Sequence, residues 1–441
     1  MDRISDLPDG IIIRILSFLS IDEAASTSVL STRWRDMFAF TPHLHLSLTK
    51  PRKFLPFVDH RRYFMDFVDR VLAVSGNSAI KSFTLKCRLG VGSAHTNRWI
   101  CNVLNRGVLD LHLDAKAQEP LIFEVFACKT LVKLKLNRFE IPMLPEDASL
   151  PALKIISLHF VTFYNLDAFE KLISACPLLE ELIMIYIAWE LWKCSHIFSC
   201  PTLKRLTIGC IGFSVELGSM SFDNPNLVYL EYSDFVQLQY PVVNLDSLVE
   251  AKIGLTMKEG GPDNCDPSNL IRGLRNVEIL NLSCPETVEV VTVLFLAVMI
   301  FGIFHEAMPM FANLLHLTIT SEVDFCSSVS SLPSLLKKAP NLHTLVIKGI
   351  LRHDNPVSEC ECFLGCSRLS SCPVKVLEIT EYEGSIKELD RMKRFLEELS
   401  CLELVKVCAS AKDDKEKLRL STDLLMLCRA SSQCEIKVEF S

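Results

Sequence analysis

Cysteine, histidine and glutamate are the side chains whose spacing in this sequence could support catalysis or metal binding. Four cysteines lie close together, at Cys360, Cys362, Cys366 and Cys372. Their spacing matches neither paired CxxC knuckles nor a Cys/His finger, so buried reduced thiols are favoured over a zinc site. His305-Glu306 lacks the second histidine of a zinc-protease helix, and no phosphate loop, dinucleotide fingerprint or GxSxG turn occurs. The sequence therefore predicts no enzyme, no cofactor and no metal, with a thiol enzyme as the least favoured alternative.

Composition restricts the class of protein further. The chain has 441 residues, of which 49% are hydrophobic and 22% charged, so a folded core is expected throughout. A net charge of -7 argues against nucleic acid as the main partner, because phosphate binding needs clustered basic residues. The apolar run from Val290 to Phe304 is shorter than the roughly 20 residues of a membrane span. Eighteen cysteines without an export signal favour reduced thiols, and hence a cytoplasmic or nuclear protein without a membrane partner.

A short phrase of the form LxxLxL recurs along most of the chain, and this repeat is the strongest structural signal. Clear copies begin at Leu131, Leu179, Leu203, Val277, Leu314, Leu342 and Val374, and weaker ones at Ile80, Val108, Leu153, Leu227, Leu248 and Leu402. The second half of each phrase alternates with the period of a β-strand. The residues between copies suffice for a returning helix or loop, so the repeat predicts a solenoid of parallel strands over residues 60–368.

Prolines and one amphipathic segment mark the borders of the repeat. Proline precedes the phrase at Pro151, Pro177, Pro201, Pro225, Pro340 and Pro373, which predicts a turn before each strand. Apolar residues from Phe64 to Leu72 follow helical spacing, which predicts a helix that caps the first unit.

The first 40 residues have a different pattern. Asp9 can cap a helix that carries Ile12, Ile15, Leu16 and Leu19, a second short helix follows, and Ser31 can cap a third. Three short helices cannot bury this much apolar surface among themselves. The pattern alone leaves two interpretations open: the helices bind a partner, or they pack onto the end of the solenoid.

Residues 1–46 resemble an F-box. The resemblance rests on Leu7-Pro8-Asp9, on Ile15 to Leu19, on Thr27 to Ser31 and on Arg33-Trp34-Arg35. It implies that the segment binds the Skp adaptor of a cullin-RING ubiquitin ligase, and through it cullin. By resemblance, the adaptor contacts would come from Leu7, Pro8, Ile12, Ile15, Leu16, Leu19, Val29, Leu30 and Trp34. Two departures are Gly10, where an acidic residue is common, and Ser20 to Glu23, where the family usually has a proline and a basic residue.

The end of the chain resembles the FBD domain of plant F-box proteins with leucine-rich repeats. Residues 369–441 alternate strand-like and helix-like segments, and Ser385 with Glu388 forms a capping box. We expect this region to extend the sheet and to cap the last repeat, in preference to forming a separate binding module.

One interval between copies is unusually long and contains the apolar run described above. We expect residues 288–304 to be either an insertion foreign to the repeat or a buried helix behind the strands.

The predicted fold class is therefore α/β: a three-helix F-box, a leucine-rich-repeat solenoid of parallel strands backed by helices and loops, and an FBD cap. The predicted function is substrate recognition for an SCF-type ubiquitin ligase, whose solenoid binds a protein substrate. Candidate substrate contacts on the strand face are Lys133, Lys135, Arg205, Tyr229 and Glu231. The alternative is a leucine-rich-repeat scaffold or inhibitor with a non-functional F-box.

Overall fold

The structure is a computed structural model that describes residues 4, 6–19, 21–48, 57–88, 90–187, 196–209, 217–257, 264–283, 297–320, 332–349 and 372–440. The chain divides into two compact units, Met1–Leu191 and Trp192–Ser441. This division coincides with neither of the borders predicted at residues 46 and 368, which stay predictions.

The first unit contains the N-terminal segment and the first repeats. Helices α1–α5 span Asp9–Leu16, Ile21–Ser26, Phe57–Val74, Ser93–Leu104 and Leu166–Ser174. Strands β1–β7 span His43–Ser47, Ser82–Lys86, Asp110–Pro120, Lys133–Ile141, Ile155–His159, Thr162–Phe163 and Glu181–Ile185. Short 3-10 helices span Thr27–Val29, Met37–Phe40 and Phe123–Ala127. The strands pair in parallel in the order β1-β2-β3-β4-β5-β7, and β6 pairs with β4.

The second unit continues the same construction. Helices α6–α10 span Ser268–Gly273, Ala297–Ile303, Leu332–Lys337, Ile386–Glu398 and Asp414–Leu425. Strands β8–β19 span His196–Ser199, Arg205–Gly209, Met220–Asp223, Tyr229–Phe235, Val243–Asn244, Glu250–Thr256, Ile279–Leu282, His316–Thr320, Thr344–Lys348, Val376–Tyr382, Leu404–Ala409 and Glu435–Phe440. A parallel sheet has the order β9-β11-β13-β14-β15-β16-β17-β18-β19, and β8-β10-β12 form a second parallel sheet.

The repeat phrase explains these strands, and the predicted α/β class is confirmed. The last two apolar residues of every copy lie in a strand, and copies in neighbouring strands are in register. Leu111, Leu134, Ile156 and Leu182, for example, are Cα partners along the first sheet and are buried. Because strand side chains alternate between the two faces, these residues form a continuous core on one side while the intervening residues point to the other.

Recurrent turns fix the start of each strand. The amide of the first phrase residue donates to the carbonyl three residues earlier, as in Leu153 to Leu150 and Leu203 to Cys200, both at 3.1 Å. In the second unit, asparagine amides join successive turns. Asn226 Nδ2 donates to the Pro201 carbonyl at 2.8 Å, and Asn341 Nδ2 does the same to Ala312 at 2.8 Å. These bonds satisfy carbonyl groups that the turns leave outside the sheet.

The N-terminal segment differs from the predicted three helices. After α2 the chain forms 3-10 helices and turns, and the helix predicted to begin at Ser31 is wrong. One cause is local: the Ser28 hydroxyl donates to the Arg35 carbonyl at 2.6 Å, where a helix would use that carbonyl for its own amides. Asp36 also has φ -122° and ψ 4°, outside the helical range. Asp9 lies inside the first turn of α1 and does not cap it; Pro8 holds the cap position.

The predicted helix at residues 64–72 exists within α3, but β1 precedes it in the first sheet. It therefore connects two strands and does not stand before the first one. At the other end, Ser385 and Glu388 form the predicted capping box, and β17, β18 and β19 extend the sheet of the second unit.

The described part of the unusual interval is helix α7, whose Ile300 and Phe301 are fully buried. The helix packs against β13 and α8. This position agrees with a helix behind the strands for those residues, while 288–296 lie outside the described residues. Within the described ranges, no helix has both the length and the apolar composition that crossing a bilayer requires.

Candidate functional site

Eight large apolar side chains of the N-terminal segment are exposed, and we call six of them, all but Ile4 and Phe40, the N-terminal apolar surface. The six are Ile11, Ile15, Phe18, Leu19, Val29 and Leu30. Phe18 and Val29 are the most exposed of the six, at 81% and 88%. Ile11, Ile15 and Phe18 follow a spacing of four and three residues, which places them along one side of α1 and its final turn. Exposed apolar side chains at this density are typical of protein-binding surfaces.

Three of the nine predicted adaptor contacts are buried in the core of the segment. Ile12, Leu16 and Trp34 are at most 3% exposed, so in this structure they support the surface and do not form it. Pro8, Ile15, Leu19, Val29 and Leu30 are exposed and Leu7 is half-buried. Sequence reasoning missed Ile11 and Phe18. The signal for them was the i, i+4, i+7 spacing through Ile15, which defines a second apolar side on a helix with only one side covered.

Contacts between α1, the turns and α3 hold this surface in place. The Arg33 guanidinium binds Asp9 at 2.6 Å and so joins the second half of the segment to the start of α1. Arg70 of α3 binds Asp36 at 3.0 Å. The Phe38 ring stacks on that of Phe67 with centroids 6.0 Å apart. Because both ion pairs are exposed, most of the stabilisation comes from the buried apolar groups.

The exposed strand face of the first unit carries basic residues near His112 and His159. The predicted Lys133 and Lys135 both lie exposed on β4. The Asp114 carboxylate is almost fully buried; Arg88 Nε donates to its Oδ2 at 2.8 Å, and Arg138 Nη1 lies 3.5 Å from Oδ1. Burial, followed by the charges of Lys135 and Lys86, lowers the pKa of His112 to about 4. His112 is therefore neutral at pH 7.

The exposed strand face of the second unit places Arg205, Tyr229 and Glu231 together. The Arg205 guanidinium carbon lies 3.9 Å from the centroid of the Tyr229 ring, and Lys252 Nζ lies 5.5 Å from it. The Tyr229 hydroxyl donates to Glu231 Oε2 at 2.6 Å. Burial and this hydrogen bond raise the pKa of Tyr229. Tyr229 as a whole is only 6% exposed, and these cations lie against the ring that the sequence predicts as a substrate contact.

Seven of the described cysteines, including Cys265, Cys372 and Cys434, are buried. Burial raises the pKa of Cys265, Cys372 and Cys434, the direction opposite to that of a nucleophilic thiolate. No group of three potential metal ligands occurs among the residues that the structure describes. Cys360, Cys362 and Cys366 lie outside those residues.

Repeated parallel strands preceded by a segment with an exposed apolar surface define a leucine-rich-repeat protein with an N-terminal interaction module. Two family models match the chain: the F-box domain over residues 4–40, and "FBD-associated F-box protein At5g56370, LRR repeats" over residues 96–196.

Relatives from Arabidopsis thaliana match nearly the whole of this chain. F-box/LRR-repeat protein At3g58980 is 46% identical over 99% of this chain and 74% of its own length. F-box/LRR-repeat protein At3g62440 is 43% identical over 99% of this chain and 100% of its own length. F-box/LRR-repeat protein At2g42730 is 39% identical over 99% of this chain and 98% of its own length. The chain belongs to the plant F-box/LRR-repeat family, whose F-box domains in general bind Skp-type adaptors.

Proposed function

We propose that this protein is the substrate-recognition subunit of an SCF-type ubiquitin ligase. The N-terminal apolar surface binds a Skp-type adaptor and through it cullin, while the strand faces bind a protein substrate. The chain itself performs no bond chemistry; it raises the local concentration of substrate lysines near the ubiquitin carrier. A cytoplasmic or nuclear location is part of this proposal.

The N-terminal apolar surface is the observation that carries the proposal. The interior of the segment is already filled by Ile12, Leu16 and Trp34, so the six exposed side chains are not needed for its own core. Burial of such side chains at an interface stabilises a complex by about 25 cal/mol per Å² of apolar surface, before the costs of association are subtracted. The alternative, a repeat scaffold with a non-functional F-box, predicts no adaptor binding.

Two variants with matched exposure test the adaptor contact. Val29 and Ile386 are 88% and 89% exposed, and Ile386 begins a helix in the second unit. We expect Val29→Asp to weaken binding to a purified plant Skp-type adaptor by about tenfold or more, because a carboxylate would be desolvated in the interface. Ile386→Asp controls for a new surface charge and should leave the affinity unchanged. Wild-type protein that does not bind the adaptor would refute the proposal, and equal affinities of the two variants would refute this contact.

The substrate side needs a separate experiment. Affinity capture of the full chain with the proteasome blocked should enrich ubiquitinated proteins together with adaptor and cullin. Capture of the same proteins in the absence of adaptor and cullin would favour the scaffold alternative.

A further inference from the structure

Three consecutive repeats of the first unit share an unusual backbone conformation. Arg138, Phe160 and Tyr186 have φ values of 64°, 52° and 55°. Each directly follows one of the register partners Asn137, His159 and Ile185, so the three residues are aligned across β4, β5 and β7. A positive φ is rare for bulky side chains. The same position of the repeat also has a positive φ at Gly349 (99°) and Glu381 (60°) in the second unit, so the conformation belongs to the repeat, and what distinguishes these three copies is the side chains they carry there.

The side chains of these residues form a stack, which we call the aromatic ladder: Arg138, Phe160 and Tyr186. The rings of Phe160 and Tyr186 are stacked at 4.6 Å with an angle of 13° between their planes. The Arg138 guanidinium carbon lies 5.4 Å from the Phe160 ring centroid. Phe160 nevertheless stays 41% exposed. These copies of the repeat therefore leave an aromatic side chain accessible to solvent at this position.

Arg138 belongs both to the ladder and to a group of basic residues beside it. We call this group the basic face: Lys86, Arg88, Lys135 and Arg138. Lys135 is the register partner of His112, and Asn137 is that of His159. Among the described residues, no carboxylate lies within 4.0 Å of the amines of Lys86 or Lys135, whereas Asp114 is shared by Arg88 and Arg138. The basic face thus has more positive than negative charge, in a protein whose net charge is -7.

From these contacts we infer that the basic face and the aromatic ladder bind an acidic segment of a partner protein, with carboxylates on the lysines and an apolar side chain on the ladder. Charge complementarity identifies the occupant, since the unpaired cations need anions and the exposed ring needs apolar contact. The distance from β2 to β7 is about 19 Å at 4.8 Å per strand, which roughly six extended residues span. Burial also lowers the pKa of His159, so His112 and His159 can contribute hydrogen bonds without adding charge.

This inference rests on the proposed function in taking the bound segment as part of the substrate, but its test does not need the adaptor. The probe is a fluorescent peptide, Glu-Asp-Glu-Glu-Phe-Leu, titrated with the full chain while anisotropy is measured. Its controls are a peptide with Gln and Asn at the acidic positions and a peptide with phosphoserines there. We expect the acidic peptide to bind, and to lose affinity as the salt concentration rises.

Two variants assign the binding to this face. Lys135→Glu should weaken peptide binding by about tenfold or more, because an attraction becomes a repulsion. Lys348→Glu, at an exposed lysine in β16, is the matched control and should have no effect. Phe160→Gly removes the ring at a position where glycine relieves the backbone strain, so it should weaken binding without loss of folding.

Several outcomes would overturn the inference: no binding, equal binding of the neutral peptide, binding of the phosphorylated peptide alone, or equal effects of the two lysine variants. Adaptor binding measured on the same preparations separates the two proposals. The Lys135→Glu variant should still bind the adaptor. A wild-type protein that binds the adaptor but not the acidic peptide would refute the inference about the basic face alone. A wild-type protein that does not bind the adaptor would refute the proposed function.

Discussion

The N-terminal segment and the repeats use apolar residues in opposite ways. In the repeats, the phrase leucines such as Leu131, Leu134 and Leu136 are at most 1% exposed, and the residues that alternate with them in the strand, Lys133 and Lys135, are charged and exposed. In the segment, Ile12 is fully buried while Val29 and Phe18, of similar hydrophobicity, are exposed. The repeats are thus satisfied by their neighbours along the chain, and the segment has apolar surface left over. This difference indicates where a partner contributes to stability.

The largest expected effect concerns the core of the segment. Trp34→Ala should lower the free energy of unfolding of this segment by about 3–5 kcal/mol, because a buried ring is lost and leaves a cavity. Trp34→Phe should cost much less, since the Trp34 Nε1 donates no hydrogen bond to the part of the chain that the structure describes. Urea unfolding followed by limited proteolysis near residue 40 would measure both. Equal losses in the two variants would show that the indole nitrogen has a partner.

A smaller effect is expected from the strand face of the first unit as pH falls. The folded-state pKa of His112 is lowered from 6.5 to about 4 by burial and by Lys135, Lys86 and His45, against the opposing charge of Asp114. The unfolded chain therefore binds a proton between these values that the folded chain does not, and stability should fall as pH drops through this range. His112→Gln should flatten the dependence in urea titrations. An unchanged dependence would assign it to other groups.

The smallest effect concerns the ion pair that joins the two halves of the segment. Arg33→Gln should cost less than about 1 kcal/mol, because both side chains of the Asp9 pair are more than a third exposed. Thermal unfolding at low and high salt would measure it. A loss as large as that of Trp34→Ala would mean that the segment depends on charge and not on its apolar core, contrary to the comparison.

The fold could be predicted from the sequence because the repeat phrase contains both strand period and repeat length. Each copy from Ile80 to Leu402 contributes to a strand. The third N-terminal helix is predicted wrongly, since the spacing of apolar residues does not show that the Ser28 hydroxyl binds the Arg35 carbonyl or that Asp36 leaves the helical range. Strand β1 was not predicted as part of the sheet, because its short apolar alternation coincides with the end of the F-box motif.

The candidate site was less predictable than the fold. Spacing identifies both apolar sides of α1, but it does not say which side the 3-10 helix at Met37–Phe40 covers. The sequence therefore predicts the buried Ile12 and Leu16 as adaptor contacts together with the exposed Ile15 and Leu19. On the strand faces, alternation correctly puts Lys135 outside. It cannot show that Arg205 and Lys252 cover the ring of Tyr229, because that contact depends on the register of three strands.

Isothermal titration of the full chain with a Skp-type adaptor at several temperatures tests the central claim most directly. Removal of apolar surface from water gives a negative heat-capacity change of binding. We expect such a change for the wild type, and a smaller one together with weaker binding for Phe18→Asp. The control Met426→Asp replaces an apolar residue of 80% exposure in the second unit and should behave as the wild type. Absence of binding, or binding without a negative heat-capacity change, would contradict the account.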